Sequence, residues 1–449
     1  MNNPLRVIIG IGKTGLSCVR FGLKNNWQME VIDSENHPKH QADFFKIAPR
    51  IKYCFGKIDR DILARADEII LSPGVDKKIP EIAEAINNGK KVLNDIEIFL
   101  QLNKKPVIAI TGTNGKTTVT ELVGLMAKES GINVQVAGNI GTPILDVIDD
   151  SNELYVLELS SFQLESINNL GAQGAIILNI TEDHSDRYKN FAEYAKAKHA
   201  IYNVAKNIIV NNNDATTYFI PKGEPIFKDN NIKFVTYCAD KITHYYHVVK
   251  DKNRKFLARD GINLIDIADL PRQNEIDLEN SLAAIALGDT FAFKMPAMLD
   301  TIRKFIGLKH RCQVVRIING VTWVNDSKAT NVGAAICAIK SFRKQTDGKI
   351  ILIAGGSNKD LDFTPLKKSV SNFVSKVILI GQTAELLEKV LCGASDIVRA
   401  HDLEAAVLLA DKVAEKHDIV LLSPACASFD MFNDYKHRGD EFIRCVNLL

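Results

Sequence analysis

Eight consecutive residues, Thr111-Gly112-Thr113-Asn114-Gly115-Lys116-Thr117-Thr118, directly follow the apolar run Val107–Ile110. Small residues let backbone N–H groups converge on a phosphate at a helix N-terminus. Lys116 then adds a point charge, and the Thr117 hydroxyl can ligate Mg²⁺. The helix expected next carries Val119, Leu122, Val123 and Met126 on its apolar face. The usual phosphate loop has a glycine where this chain has Ile110, so the motif is a shortened variant. An ordinary Gly-rich turn is the bland alternative. A second strand, Leu154–Leu159, ends beside a carboxylate, Glu158, and continues as Ser160-Ser161-Phe162-Gln163. Next to a phosphate loop, a strand-end carboxylate is expected to hold the Mg²⁺ that bridges nucleotide phosphates; alone it would be a solvated surface group.

After the apolar run Ala175–Leu178 come Asn179-Ile180-Thr181-Glu182-Asp183-His184-Ser185-Asp186-Arg187, five of them ionisable in quick succession behind a buried strand. The helix that follows has an apolar stripe of Phe191, Tyr194, Ala195, Ile201 and Tyr202, and Lys198 falls on that stripe while Lys196 sits off it. An inward ammonium costs on the order of several kcal/mol unless it is paired or loses its charge. It either snorkels to water or serves metal chemistry, which would require it to stop being a cation. Farther on, Asn325-Asp326-Ser327-Lys328-Ala329-Thr330-Asn331, Gly355-Gly356-Ser357-Asn358-Lys359 and Ser423-Pro424-Ala425-Cys426-Ala427-Ser428 each follow an apolar strand. Such loops suit a terminal phosphate and an anionic substrate, although solvated α/β loops look alike. Near the N-terminus, Gly10-Ile11-Gly12-Lys13-Thr14-Gly15 matches G-x-G-x-x-G, with Asp33 ending the next strand. Alone this suggests a dinucleotide cofactor, but Lys13 and Thr14 could equally serve another nucleotide's diphosphate.

These loops need a scaffold of buried strands alternating with helices, which predicts an α/β fold. Expected strands are Arg6–Ile9, Glu30–Ile32, Glu68–Leu71 and Lys91–Leu93; then Val107–Ile110, Leu154–Leu159, Ala175–Leu178 and Asn207–Val210; then Thr322–Val324, Ile350–Ala354, Val377–Ile380 and Asp418–Leu422. Three domains are predicted, 1–94, 95–307 and 308–449, with the polar, β-rich stretch 221–270 as an appendage of the second. Lys and Arg total 56 against 54 Asp and Glu, which argues against a nucleic-acid or membrane-surface partner. No apolar run approaches the ~18 residues of a membrane span, and no secretion signal is read. Eight cysteines without C-x-x-C suggest reduced thiols in the cytoplasm and neither disulfides nor a zinc site.

Together, residues 111–117, Glu158-Leu-Ser-Ser-Phe-Gln-Leu-Glu165, Asn179–His184, Asn325–Asn331 and Leu422–Asp430 resemble the Mur ligases. The resemblance spans Gly10 to Arg438. It implies N- and C-terminal Rossmann-like domains flanking a central P-loop ATPase domain, in an expected monomer. It also implies an ATP-dependent ligase that adds D-glutamate to UDP-N-acetylmuramoyl-L-alanine through an acyl phosphate. Gly112, Thr113, Asn114, Gly115, Lys116, Thr117 and Thr118 would take the ATP phosphates. Glu158 would join Thr117 at one Mg²⁺, with His184 and a carbamylated Lys198 at a second. Asn280, Arg311 and Asp326 match positions around adenosine, and Lys328 one near the transferred phosphate. Thr14, Asp33, Ser34 and Gly74 match UDP-contacting positions, with Asn139 nearer the reacting end and Ser160 among the substrate-binding positions. Thr330, Lys359, Ser428 and Tyr435 match the positions that hold D-glutamate. Glu35 stands where an Arg toward the uracil is frequent, and Asp277 where an amide near ATP is frequent. The alternatives are another Mur-type or folylpolyglutamate-synthetase-like ligase, a nicotinamide-dependent dehydrogenase, and a P-loop switch. The last two each leave part of the motif set unused.

Overall fold

The computed structural model describes residues 3–167, 169–183, 187–218, 245–357 and 362–449, and the backbone of 231–235. It contains three sheets. The first is formed by β1 (Leu5–Ile9), β2 (Gln28–Asp33), β3 (Lys52–Phe55), β4 (Glu68–Leu71) and β5 (Lys91–Leu93) in the order β3-β2-β1-β4-β5. Every pairing is parallel, and helices cover both faces, which is why Val7, Ile8 and Ile9 can be apolar in succession and wholly buried. The strand order reverses between β1 and β4, so the loops Gly10–Gly15 and Ser72–Gly74 flank the switch point where such sheets bind ligands.

The second sheet has nine strands: β6 (Val107–Thr111), β7 (Val134–Gly138), β8 (Leu154–Glu158), β9 (Gly174–Ile177), β10 (Asn207–Asn211), β11 (Asn231–Val235), β12 (Tyr246–Asp251), β13 (Arg254–Arg259) and β14 (Ile262–Asp266). Their order is β14-β13-β12-β11-β10-β9-β6-β8-β7, parallel except for the antiparallel β12–β13–β14 ladder. β6, flanked by β8 and β9, is buried along its whole length and delivers the phosphate loop. The β-rich stretch thus extends the central sheet at its edge. The third sheet has β15 (Gln313–Ile318), β16 (Val321–Asn325), β17 (Ile350–Gly355), β18 (Val374–Ile380), β19 (Asp396–Arg399) and β20 (Ile419–Leu422) in the order β15-β16-β20-β17-β18-β19. Its two faces bury separate clusters, Val324, Leu352 and Leu421 on one, and Trp323, Ile353 and Val420 on the other.

The chain divides into two compact units. The first comprises Met1–Ile180, Asn190–Asp266 and Asn280–Ile302, and holds the first two sheets. The second comprises Thr181–Lys189, Ile267–Glu279 and Arg303–Leu449. Within the first unit the two sheets are tied together by side chains. Asn94 caps the helix Asp95–Leu102 in a capping box with Glu97, and its Nδ2 donates to the Gln163 carbonyl at 2.8 Å. The Arg20 guanidinium makes a two-pronged ion pair with Asp146, its Nε 3.0 Å from Oδ1.

Candidate functional site

In the first unit the phosphate loop is held from three sides. Thr113 N–H donates to the Asn179 carbonyl at 2.9 Å, and Asn114 N–H donates to the Asn179 side-chain oxygen at 2.8 Å. The Asn179 amide returns a bond to the Asn114 carbonyl at 3.1 Å. Gly115 has φ +83°, and a Cβ there would lie 2.7 Å from Asn280 Oδ1, so conformation and space both demand glycine. Asn280 is thereby placed beside the loop.

The two expected lysines meet at one oxygen. Lys116 Nζ donates to the Gly112 and Thr113 carbonyls at 2.8 and 2.9 Å, and Lys198 Nζ donates to the same Gly112 carbonyl at 2.9 Å. Lys198 is only 2% exposed, and its ammonium sits 4.7 Å from the Tyr194 ring centroid. Tyr194 Oη is in turn 3.1 Å from Thr113 Oγ1. The stripe position of Lys198 therefore buries it, while Lys196 is exposed. A carbonyl and a π-face are among its partners.

Glu158 ends β8 and is 2% exposed. Its Oε1 accepts from Asn139 Nδ2 at 2.9 Å, while Oε2 is buried with no hydrogen-bond partner. A buried, half-satisfied carboxylate fits a divalent cation that brings its own phosphate and water ligands. Its charge also adds to burial in raising the pKa of Glu121. Among the described residues no group of three His, Cys, Asp or Glu side chains is placed to hold a metal. Glu158 would therefore fit a divalent cation only with other ligands, phosphate oxygens among them. His184, expected at a second ion, lies outside the described residues. Ser160 caps the helix Ser161–Leu164, its Oγ accepting from Gln163 N–H.

At the first sheet's switch point, Asp33 braces the glycine loop. Its Oδ2 accepts from Ile11 N–H at 2.9 Å and its Oδ1 from Glu35 N–H at 3.0 Å. Ser72 Oγ donates to the Gly10 carbonyl at 2.8 Å. Thr14 lies in the first turn of the helix Lys13–Lys24, and Ser34 and Gly74 are exposed just after β2 and β4, the two strands that flank β1. The Glu35 side chain is also exposed.

In the second unit, three adjacent strands, β16, β20 and β17, end in the expected loops. Asp326, 6% exposed, accepts from Ser423 Oγ at 2.8 Å and from Cys312 N–H at 3.1 Å. Burial nevertheless pushes its carboxyl up to about 6. Lys328 Nζ lies 3.9 Å from the Tyr435 ring centroid, and Thr330 N–H donates to the Lys328 carbonyl at 2.8 Å. Ser428 is buried. Lys359 lies outside the described residues. Asp277 pairs with Arg272 at 2.8 Å and with the Asn274 side chain, so it serves the start of the helix Glu275–Thr290. Asn280 belongs to the first unit, Arg311 and Asp326 to the second.

Arg438, wholly buried, was not among the expected site residues. Its guanidinium donates to Ser327 Oγ, the Ser327 carbonyl, the Cys426 carbonyl and the Ala427 carbonyl at 2.9–3.2 Å. The desolvation lowers its pKa to about 10. Asn179, Tyr194 and His310 were likewise unassigned. For Arg438 a signal existed: it shares a buried stripe with Phe442, Cys445 and Val446, the pattern that singled out Lys198.

The raised carboxyl of Asp326 has a measurable sign. Between the ordinary aspartate range and pH 6 the folded chain holds a proton that the unfolded chain releases, so this group's contribution to stability falls as pH rises through that window. Asp326→Asn is expected to flatten the pH dependence of the melting temperature between pH 4 and about 6 and to stabilise the protein at pH 8 by on the order of 2 kcal/mol. Unchanged melting curves at both pH values would refute it.

A phosphate-loop sheet flanked along the chain by two Rossmann-like sheets is compatible with an ATP-using ligase, a class that also accounts for the second unit's polar strand-end loops. Three family models match in succession: the Mur ligase MurD-like N-terminal domain at residues 5–94, the Mur ligase middle domain at 110–288, and the Mur ligase glutamate ligase domain at 310–426. The chain belongs to the Mur ligase family. It is 44% identical to a UDP-N-acetylmuramoylalanine–D-glutamate ligase of Coxiella burnetii, covering 100% of both chains. It is 41% identical to the protein of the same name from Pseudomonas syringae, covering 100% of this chain and 99% of that one. Among solved structures, a pseudomurein peptide ligase type C from Methanothermus fervidus aligns with a TM-score of 0.62 at 20% identity, covering 99% of this chain and 100% of that one. The UDP-N-acetylmuramate–alanine ligase of Thermotoga maritima aligns with a TM-score of 0.61 at 18% identity, covering 99% of each. These two share the fold.

Proposed function

We infer that this chain is an ATP-dependent amide ligase of peptidoglycan synthesis, adding D-glutamate to UDP-N-acetylmuramoyl-L-alanine. The observation that carries the ATP chemistry is the convergence of Lys116 and Lys198 on the Gly112 carbonyl, with Glu158 at the end of a neighbouring strand. The amino acid and the UDP-sugar follow from the full-length relatives.

A carboxylate is a poor electrophile because its oxygen leaves badly. The substrate carboxylate attacks the γ-phosphorus of ATP, and ADP leaves. The amine of D-glutamate then attacks the acyl phosphate, and the tetrahedral intermediate expels inorganic phosphate. Mg²⁺, held by Thr117 and Glu158, would neutralise charge on the phosphoryl oxygens. The loop amides of Gly112–Thr118 cradle the phosphates, and Lys116 turns from its loop carbonyls toward them. Lys198, carbamylated and so anionic, and His184 are the residues we propose for a second ion. Lys328 faces the transferred phosphate, Asn280, Arg311 and Asp326 the adenosine. Thr14, Asp33, Ser34 and Gly74 hold the UDP moiety, with Asn139 toward the acyl end and Ser160 among the substrate-binding residues. Thr330, Lys359, Ser428 and Tyr435 bind D-glutamate, whose two carboxylates call for a cation and hydroxyl donors. The proposed domains are 1–94, 95–307 and 308–449, each built around one of the three sheets. Among the described residues no helix is long and apolar enough to cross a membrane. The seven described cysteines are free thiols, which favours the reducing cytoplasm.

The test is ADP release with UDP-N-acetylmuramoyl-L-alanine and each of D-glutamate, L-glutamate, L-alanine and meso-diaminopimelate at equal concentration. D-glutamate is expected to be the preferred acceptor by at least ~100-fold, the discrimination that unpaired polar groups in a mismatched pocket can supply. Preference for L-alanine or meso-diaminopimelate would assign the chain to another step.

A further inference from the structure

His310 is 5% exposed and adopts φ +63°, a left-handed backbone that a non-glycine residue takes up only at a cost. It stands where three segments of the second unit meet. Its carbonyl accepts from Lys328 N–H at 3.0 Å, its ring packs edge-on to Tyr435 with centroids 6.2 Å apart, and it directly precedes Arg311. A Cβ on Gly439 would lie 2.2 Å from His310 Nδ1, so the helix Tyr435–Asn447 is bare where the imidazole enters.

The ring's protonation state follows from its neighbours. Asn325 Nδ2 donates to the Gly439 carbonyl at 3.0 Å and lies 3.1 Å from His310 Nδ1, while Asn325 Oδ1 accepts from Ser327 N–H at 3.1 Å. Turning the amide over would break the bonds to both Gly439 and Ser327. Nδ1 is therefore an acceptor, and the ring proton sits on Nε2, 3.6 Å from Asp440 Oδ1. We propose that His310, neutral and locked to Asn325, is the positioning residue that sets Arg311, Lys328 and Tyr435 for nucleotide and amino-acid binding. The proposal rests on the roles assigned to those three residues above.

A second proton on Nδ1 would set two donors face to face. Burial lowers the imidazole pKa, as do Lys309 and Lys436, while Asp440 and Asp434 act in the opposite direction. With the folded-state pKa lowered, the lock is intact above the ordinary histidine range and is lost as pH falls below it.

The experiment compares wild type with His310→Ala, His310→Asn and His310→Gln. Asparagine tolerates the left-handed backbone and offers an oxygen near the place of Nδ1; glutamine reaches toward the place of Nε2. His310→Ala is expected to raise KM for ATP and for D-glutamate by roughly 10- to 100-fold, the range for losing a buried acceptor and leaving its donor unpaired. KM for the UDP-sugar, proposed for the first unit, should stay within about 2-fold, since distant sites contribute independently. The Asn variant should recover most of the loss and the Gln variant little of it. As pH falls below the ordinary histidine range, kcat/KM for ATP should fall in wild type and not in the Asn variant. Equal rises in all three KM values, an Asn variant no better than Gln, or an Ala variant with unchanged KM values would each overturn the proposal. A wild-type chain that makes no product would instead overturn the proposed function. Calorimetric titration of ATP into wild type and the Ala variant would then still decide His310: equal affinities refute its role, and weaker binding in the variant upholds it.

Discussion

Lys116→Ala is expected to fold and to ligate at least ~10³-fold more slowly, the upper range for removing one preorganised charge donor from a phosphoryl-transfer site. The fold survives because the Lys116 ammonium donates to the Gly112 and Thr113 carbonyls of its own loop, bonds that tie no distant segment together. Lys198 still holds the Gly112 oxygen, and Asn179 still clasps the loop at Thr113 and Asn114. The loss in stability should therefore be about 1–2 kcal/mol, that of two net hydrogen bonds in a half-buried place. Thermal melting and single-turnover ADP formation separate the two effects. A variant within tenfold of wild type would show that the loop amides alone carry the phosphate.

Glu158→Gln should leave the local structure in place and remove the proposed protein anchor of the metal. The glutamine oxygen can still accept from Asn139 Nδ2, so the bond now measured at 2.9 Å persists. What disappears is a negative charge whose Oε2 is buried and unpartnered. Stability should hold or rise, since a half-satisfied buried carboxylate is costly. The half-saturating Mg²⁺ concentration should increase, and kcat should drop by roughly 10²–10³ at wild-type Mg²⁺ levels. The two readouts, melting temperature and an Mg²⁺ titration of turnover, move in opposite directions only if Glu158 holds the ion. An unchanged Mg²⁺ dependence would leave it a structural partner of Asn139.

Central strands were the legible part of the fold. β1, β2, β4, β6, β8, β9, β16, β17, β18 and β20 are apolar runs ending in Gly, Asp, Glu, Ser or Thr loops, because a parallel strand covered on both faces cannot afford polar residues. Of the strands that sequence reasoning did not place, β3, β7, β15 and β19 are edge strands, while β11–β14 lie in the stretch read only as β-rich. Lys52–Phe55 and Asp396–Arg399 bury no residue fully, so no apolar run marks them. At the proposed site, residues marked by charge or loop position were legible: Lys116, Lys198, Glu158, Asp326. Those that act by bonding to another segment were not. Asn179, His310 and Arg438 draw their roles from oxygens and amides more than ten residues away, and type and spacing alone do not report such partners. His184 and Lys359 fall outside the described residues, and their roles rest on the family resemblance.

The four bonds of Arg438 have a thermodynamic consequence. They fasten the turns at Ser327 and at Cys426-Ala427 to the helix Tyr435–Asn447 before any ligand arrives. Immobilising a flexible side chain on binding costs about 0.5–1.5 kcal/mol, and that ordering has here been completed during folding. An amino acid bound where it is proposed to bind, in the second unit, would thus meet walls that are already fastened. Its association should lose little entropy from those turns, and its selectivity should come from fit rather than from adaptation, since walls pinned in advance cannot reshape themselves around a wrong guest.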